Sequence, residues 1–220
     1  TEAANMVQAA EVLLAYRVRR VPVVNSAGTI VNAISQKMCV QLFASQLAVL
    51  SRNAQHAEAV EDHLRTRTLE KTQQSVKDAR VGEGQLVKVT QRQSLALVIK
   101  KMVEEGANSV AVVDARTGEM LNFLSSKDIV ELLVTPEFKF NMFLLEMQKT
   151  SYFKLSEKKW RKNIVTAKPT SSIMEVAKAF VDTDFKIHNI YLTDERNRPI
   201  QQITLFDILP FALQERLMTH

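Results

Sequence analysis

The sequence predicts an α/β (α+β) fold built from three related repeats, each of which runs β-α-β-β-α. An apolar strand, a polar turn, a second strand and a helix start occur three times, and the helix starts at Ser35, Ser125 and Thr204 lie 90 and 79 residues apart. Of the 220 residues, 46% are hydrophobic but only 6% are aromatic, which is typical of aliphatic strands and helices. A repeated unit of this size cannot bury its own apolar face, so we expect the repeats to pair through their small sheets.

The first repeat, residues 1–52, begins directly with a helix at Ala4–Tyr16, so its opening strand is missing from the sequence. An apolar strand starts at Arg20, Gly28 marks the turn, and the second strand ends at Ser35. The charged residues 53–80 are predicted to form a helical connector. The histidines of this connector are spaced too widely for a metal site, and we predict no metal.

The second repeat, residues 81–136, has its strand at Leu86–Thr90 and a helix that Ser94 can cap. The strands Ser109–Asp114 and Met120–Leu124 follow, and a helix is predicted at Lys127–Leu133. Residues 137–162 are predicted to be a second helical connector. Its patch Lys158 to Lys162, with one tryptophan, is better read as a charged connector than as a nucleic-acid site.

The third repeat, residues 163–220, shows the full order of elements. Asn163–Thr166 is the opening strand, and Ser171 or Ser172 can cap the helix that follows. The strands Ile187–Leu192 and Ile200–Thr204 flank a polar turn, and the last helix runs from position 206 onward.

Composition and charge exclude several classes of protein. The net charge of +5 suits anionic ligands but does not identify one. No apolar run reaches the roughly 18 residues of a membrane span, so no membrane partner is expected. The single Cys39 cannot form an internal disulfide, which favours an intracellular protein, cytoplasmic or nuclear. No catalytic motif is recognisable, so we predict that the protein is not an enzyme.

These residues resemble a known family. The β-α-β-β-α order, the strand Val21-Pro22-Val23-Val24 and the Ser/Thr-x-x-Asp motif at the last helix are similar to cystathionine-β-synthase (CBS) domains over nearly the whole chain. Tandem CBS domains pair into Bateman modules. More loosely, the long spacing between repeats and the predicted helix Phe138–Lys149, followed by Ser151-Tyr152-Phe153, resemble the γ regulatory subunit of AMP-activated protein kinase. The resemblance implies clefts that hold an adenine nucleotide (AMP, ADP or ATP), or S-adenosylmethionine.

Two motifs, Ser125-x-x-Asp128 and Thr204-x-x-Asp207, are the main candidate nucleotide sites. A carboxylate at a helix start can accept hydrogen bonds from the two hydroxyls of a ribose, and the free N–H groups there favour phosphate. The same pattern is also a helix cap that needs no ligand. Both interpretations stay open. The first repeat has Met38 at the position of the acid, and methionine cannot bind a diol.

Five further residues are candidates because the resemblance places them near a nucleotide. Arg19 and His188 stand at the entrance to a central strand, where family members contact phosphate. Thr90 and Thr166 end opening strands, where the family contacts adenine, and Lys168 is close enough in sequence to reach a phosphate. The alternative interpretations are a solvated cationic edge, a neutral histidine at a repeat interface and ordinary strand propensity.

The predicted function is a non-catalytic regulatory or energy-sensing module. A nucleotide would favour one arrangement of the repeats and so control a catalytic subunit, such as a protein kinase, or a homodimer formed through the repeats. The alternative is a structural interaction scaffold with empty clefts, which Met38 favours. A third class, nucleic-acid binding driven by positive charge, is not expected.

Overall fold

The computed structural model describes residues 5–53, 70–82, 86–133, 164–181 and 187–214. The helices and strands run, in chain order, α1 Met6–Ala15, β1 Arg20–Val24, β2 Ile30–Ser35, α2 Gln36–Asn53, β3 Lys88–Thr90, α3 Leu95–Glu104, β4 Ser109–Val113, β5 Met120–Ser125, α4 Ser126–Leu133, β6 Thr166–Ala167, α5 Ile173–Val181, β7 Asn189–Thr193, β8 Pro199–Thr204 and α6 Leu205–Gln214. They form a two-stranded sheet β1-β2 and two three-stranded sheets, β3-β4-β5 and β6-β7-β8.

The predicted order of elements is confirmed. The second and third repeats run β-α-β-β-α, and the first runs α-β-β-α. The predicted ends differ slightly: β3 begins at Lys88 rather than Leu86, and β6 is the two-residue strand Thr166–Ala167 rather than a strand ending at Thr166. Asn163 and the connector at residues 137–162 lie outside the described residues, as does most of the connector at 53–80.

Serine caps begin the first helix of the second and third repeats. The Ser94 hydroxyl accepts a hydrogen bond from the Leu97 N–H, which confirms that cap. In the third repeat the cap is Ser172 rather than Ser171. The Ser172 hydroxyl accepts from the Glu175 N–H at 3.2 Å, and the Glu175 carboxylate accepts from the Ser172 N–H at 2.8 Å. This reciprocal pair is a capping box, which satisfies two otherwise unpaired N–H groups at the helix start.

The hairpin turns of the three repeats use the same side-chain device. The Oδ1 atoms of Asn25, Asp114 and Asp194 each accept two backbone N–H bonds, at 2.8 to 3.0 Å, from residues two to four positions ahead. Such bonds replace missing backbone bonds in a tight turn. Two of the turns contain a residue in the left-handed conformation, which only glycine adopts freely. These residues are Gly28, with φ 78°, and Gly118, with φ 74°.

A β-bulge recurs in the first two hairpins. In the first repeat Val23 pairs with Asn32 and Val24 pairs with Ile30, which leaves Val31 as the extra residue. In the second repeat the register shifts at the equivalent place, between Val112 and Val113. A bulge increases the local twist and redirects side chains, so both hairpins are bent in the same way.

The chain divides into two compact units. The first comprises residues 1–83, 167–190 and 203–220. In it α2 packs against α5 and α6, and α1 packs against α6. The segment 70–82 is also held in this unit, because the Val76 N–H donates to the Ser171 carbonyl at 2.9 Å and the Ile173 N–H donates to the Gln74 carbonyl at 3.2 Å. The Val76 side chain is fully buried.

The second unit comprises residues 84–166 and 191–202. All five residues of β4 are buried, because the strand has a core on each face. Val110 and Val112 lie in a cluster with α3, whereas Ala111 packs in a cluster with Met120 and Tyr191. The Met120 N–H donates to the Asn197 carbonyl at 2.9 Å. Strands of the second and third repeats are therefore paired in this unit, as predicted.

None of the helices in the described ranges combines the length and the apolar character needed to cross a bilayer.

Candidate functional site

The acid at the start of α4 is held by the residue that precedes the helix. Asp128 Oδ2 accepts a hydrogen bond from the Ser125 N–H and another from the Ser125 hydroxyl, both at 2.7 Å. Asp128 is only 6% exposed. Because the carboxylate lies in the first turn of the helix, its negative charge is also stabilised by the helix dipole. The predicted pair Ser125 and Asp128 is therefore assembled and sheltered from bulk water.

The third repeat builds the same pair at the start of α6. Asp207 Oδ2 accepts from the Thr204 N–H at 2.6 Å and from the Thr204 hydroxyl at 2.7 Å. Asp207 is half-buried. Both hydrogen bonds end on one oxygen, whereas a carboxylate offers about four lone-pair positions on two oxygens. These intrachain bonds do not saturate the acceptor capacity of Asp207.

The first repeat shows what happens without the acid. The Ser35 hydroxyl accepts a hydrogen bond from the Met38 N–H at 3.3 Å, so it acts as an ordinary helix cap. In the other two repeats the equivalent hydroxyl donates to a carboxylate instead. The aspartate therefore turns the hydroxyl from acceptor to donor. The hydroxyl caps the helix in the first repeat, whereas in the other two repeats the carboxylate accepts both the hydroxyl and the backbone N–H of the residue before the helix.

The five remaining candidates lie at strand ends or directly next to them. Arg19 is exposed, and its carbonyl accepts the Gln36 N–H at 3.2 Å, next to the start of α2. Thr90 is half-buried at the end of β3, and its N–H donates to Gln93 Oε1 at 2.8 Å. His188 is exposed and directly precedes β7.

The last two candidates flank the opening strand of the third repeat. Thr166 is exposed and starts β6 rather than ending its strand. Lys168 is half-buried, its N–H donates to the Ser171 hydroxyl at 3.2 Å, and its carbonyl accepts the Ser171 N–H at 2.9 Å. Direct contact is therefore shown for Ser125 with Asp128 and for Thr204 with Asp207.

Within the part of the chain that the structure describes, no cluster of three or more His, Cys, Asp or Glu side chains could hold a metal ion. The connector histidines, His56 and His63, and the Lys158–Lys162 patch lie outside that part.

Comparison with known proteins identifies the repeat. Residues 161–213 match the family model of the CBS domain. The chain has the fold of tandem CBS repeats. One similar structure is a proposed archaeal homologue of γ-AMPK from Methanocaldococcus jannaschii, with a TM-score of 0.66 and 20% identity over 96% of this chain. This chain spans 65% of that protein. No curated protein sequence matches the chain.

Two further structures support the same fold. A conserved protein from Pyrococcus horikoshii has a TM-score of 0.60 and 16% identity, covering 94% of this chain and 74% of its own. The CBS-pair protein CBSX2 from Arabidopsis thaliana has a TM-score of 0.50 and 15% identity, covering 65% of this chain and 96% of its own. At such identities the likeness establishes the fold of the CBS repeats.

Sequence reasoning missed one polar cluster between paired CBS repeats. The Ser109 hydroxyl accepts from Gln202 Nε2 at 3.1 Å and from the Tyr191 hydroxyl at 3.4 Å. Tyr191 is fully buried, and burial raises its pKa to about 12, with the charge of Asp128 contributing in the same direction. The signal in the sequence was a small polar residue, Ser109, at the start of an otherwise apolar strand.

Proposed function

We propose that this chain is a non-catalytic regulatory module that binds an adenine nucleotide, AMP, ADP or ATP, at the helix starts of its second and third CBS repeats. One observation carries the proposal: the same hydroxyl–carboxylate pair occurs in both repeats, with Asp128 buried and Asp207 half-buried. A carboxylate held in this way is preorganised to accept hydrogen bonds from a ribose diol.

The remaining candidates supply the other parts of the proposed sites. In the third repeat, Lys168 and His188 would contact phosphate, and Thr166 would contact adenine. Thr90 would contact adenine in the second repeat, and the fixed positive charge of Arg19 would suit a phosphate group. S-adenosylmethionine also carries a ribose diol, so it belongs to the same test, and no metal is part of the proposal.

Binding by different nucleotides would control a catalytic subunit, such as a protein kinase. Because a ligand shifts an equilibrium only by its differential affinity, AMP and ATP must favour different arrangements of the repeats. The hairpin β1-β2 supports a protein partner or a homodimer. Ile30 is 67% exposed, whereas Met120, its equivalent in the second repeat, is 6% exposed and packs in a core with Tyr191. An apolar hairpin of this kind is covered in the second repeat and uncovered in the first.

The central experiment is a binding titration with AMP, ADP, ATP and S-adenosylmethionine, followed by 2′-deoxy-AMP. We expect at least one ribonucleotide to bind, and loss of the diol to weaken binding about tenfold or more, since hydrogen bonds to charged groups contribute about 1.5–3 kcal/mol. Asp207→Ala and Asp128→Ala should each remove one site. The matched control is Met38→Ala, which changes the same repeat position where no acid exists.

The alternative function is an interaction scaffold, and one observation favours it. Each acid already accepts two hydrogen bonds from its own chain, so it has polar partners without a ligand. The scaffold predicts no binding of any of these compounds at millimolar concentration. It also predicts that Asp207→Ala lowers the melting temperature equally with and without nucleotide. Either result would refute the nucleotide proposal.

The partner surface has a separate test. Ile30→Lys should weaken self-association or capture of the catalytic subunit. Ile200→Lys is the control, because Ile200 is 46% exposed in a hairpin that already packs against the second repeat through Tyr191 and Asn197. Light scattering measures the mass of each variant, and unchanged association in Ile30→Lys would exclude the hairpin β1-β2 as the association surface.

A further inference from the structure

The first residue of β4 joins the second CBS repeat to strands of the third. Ser109 is only 3% exposed, and its hydroxyl oxygen accepts from two side chains of the third repeat, Gln202 on β8 and Tyr191 on β7. All three residues belong to the same compact unit. Since both bonds use the serine oxygen as acceptor, this one atom satisfies two polar groups in a largely buried place.

The same end of β4 also holds the start of α4. Ser109 is the cross-strand neighbour of Ser125 in the antiparallel ladder. One position earlier, the Asn108 carbonyl accepts from both the N–H and the hydroxyl of Ser126, at 2.9 and 3.1 Å. Ser125 in turn donates two hydrogen bonds to Asp128. The orientation of the carboxylate therefore depends on where the first residues of β4 lie.

The first repeat provides an internal comparison. Its backbone anchor is the same, because the Gln36 N–H donates to the Arg19 carbonyl, and the residue opposite Ser35 in the ladder is Arg20. Arg20 is exposed, however, and the helix start carries Met38 instead of an acid. The buried serine and the aspartate occur together in the second repeat and are both missing from the first, whereas the third repeat has half-buried Asn189 at the serine position beside its own Thr204–Asp207 pair.

We propose that Ser109 is a positioning residue through which strands β7 and β8 fix the Ser125–Asp128 pair. This inference rests on the proposed function in one respect: a nucleotide at Asp128 would bind well only while the second and third repeats are paired. The geometry of the pair is measurable without any ligand, so the two proposals can fail separately.

The ligand-free test follows the amide proton of Ser125 by NMR in the full chain. An N–H that donates to a carboxylate at 2.7 Å should resonate downfield and exchange slowly. In Ser109→Ala we expect this signal to move upfield and its exchange to accelerate about tenfold, the change that corresponds to losing one buried hydrogen bond. Ser109→Thr keeps the hydroxyl and should restore the signal.

The controls separate positioning from loss of stability. Ser94→Ala removes a helix cap in the same unit, away from this junction, and should leave the Ser125 signal unchanged. The exchange of the Val112 amide, in the middle of β4, reports general opening of the unit. If Ser109→Ala accelerates the exchange of the Ser125 and Val112 amides equally, or leaves the Ser125 signal in place, Ser109 has only a structural role and the proposal is wrong.

The ligand test uses AMP in an Asp207→Ala background, where only the Asp128 site remains. Adding Ser109→Ala should weaken AMP binding about tenfold, and Ser109→Thr should restore it, whereas Ser94→Ala should not change it. Unchanged AMP affinity in the Ser109→Ala chain overturns the link to binding. If the natural chain binds no nucleotide at all, the proposed function fails, and the Ser125 amide still decides whether Ser109 positions Asp128.

Discussion

The buried tyrosine between paired repeats predicts a loss of stability in alkaline solution. The Tyr191 side chain is fully buried, and desolvation raises its pKa from 10.0 to about 12. An unfolded chain ionises its tyrosine near pH 10, whereas the folded chain keeps it neutral. The stabilising effect is therefore complete below pH 10 and is lost as the pH rises towards 12.

The size of the effect follows from the two pKa values. At pH 11 the unfolded state gains about 1.4 kcal/mol relative to the folded state from this one ionisation. Tyr191→Phe cannot ionise, so it escapes this loss. At neutral pH the variant should be less stable by about 1 kcal/mol, because it lacks the hydrogen bond to Ser109. The unfolding free energies of the two proteins should then meet near pH 11.

The assay is urea unfolding at intervals from pH 8 to pH 11, with the difference between the two proteins plotted against pH. With urea slopes of about 1–3 kcal/mol/M, a change of about 1.4 kcal/mol should shift the midpoint difference by about 0.5–1.4 M. The control is Tyr16→Phe, since Tyr16 is 74% exposed, and its difference from the natural chain should stay constant. A constant difference for Tyr191→Phe as well would refute the argument from burial.

Three further predictions concern other positions. Gly118→Ala should destabilise the protein by about 1 kcal/mol because φ is 74°, while Gly118→Asn should recover part of the melting temperature, and equal effects would exclude backbone strain. The pKa of Asp194 is lowered, chiefly by the hydrogen bond from the Arg198 N–H, so the stabilisation that this carboxylate gives is lost as the pH falls below 3.8. Asp194→Asn should therefore make the urea midpoint change less between about pH 2 and pH 5, and an unchanged pH dependence would contradict this. Burial raises the pKa of Cys39 to about 11, so a thiol reagent at pH 8 should meet about 0.1% thiolate and label native protein far more slowly than unfolded protein; rapid native labelling would show that the side chain is accessible.

The order of elements could be read from the sequence because it depends on local periodicity. The apolar spacing in α3 and α5 and the helix starts at Ser125 and Thr204 are local signals, and they were predicted within one or two residues. The acids were found for the same reason, because a capping motif lies within four consecutive residues.

Features that depend on distant parts of the chain could not be predicted. The bulge at Val31 has no sequence signature, since its pairing depends on the partner strand. Nor does any local pattern indicate that Ser109 meets Gln202, 93 residues away. The sequence also left open whether the Ser125 hydroxyl accepts a backbone N–H, as a helix cap does, or donates to Asp128, because both arrangements use the same two residue types.

The path of the chain through β7 and β8 has a practical consequence. The third repeat contributes α5 and α6 to one compact unit, and residues 191–202 of its hairpin to the other. A truncation before residue 167 would thus take two helices out of the first unit and Tyr191 from the interior of the second. Neither unit can be expressed as one uninterrupted fragment, so dissecting this protein calls for point substitutions rather than deletion.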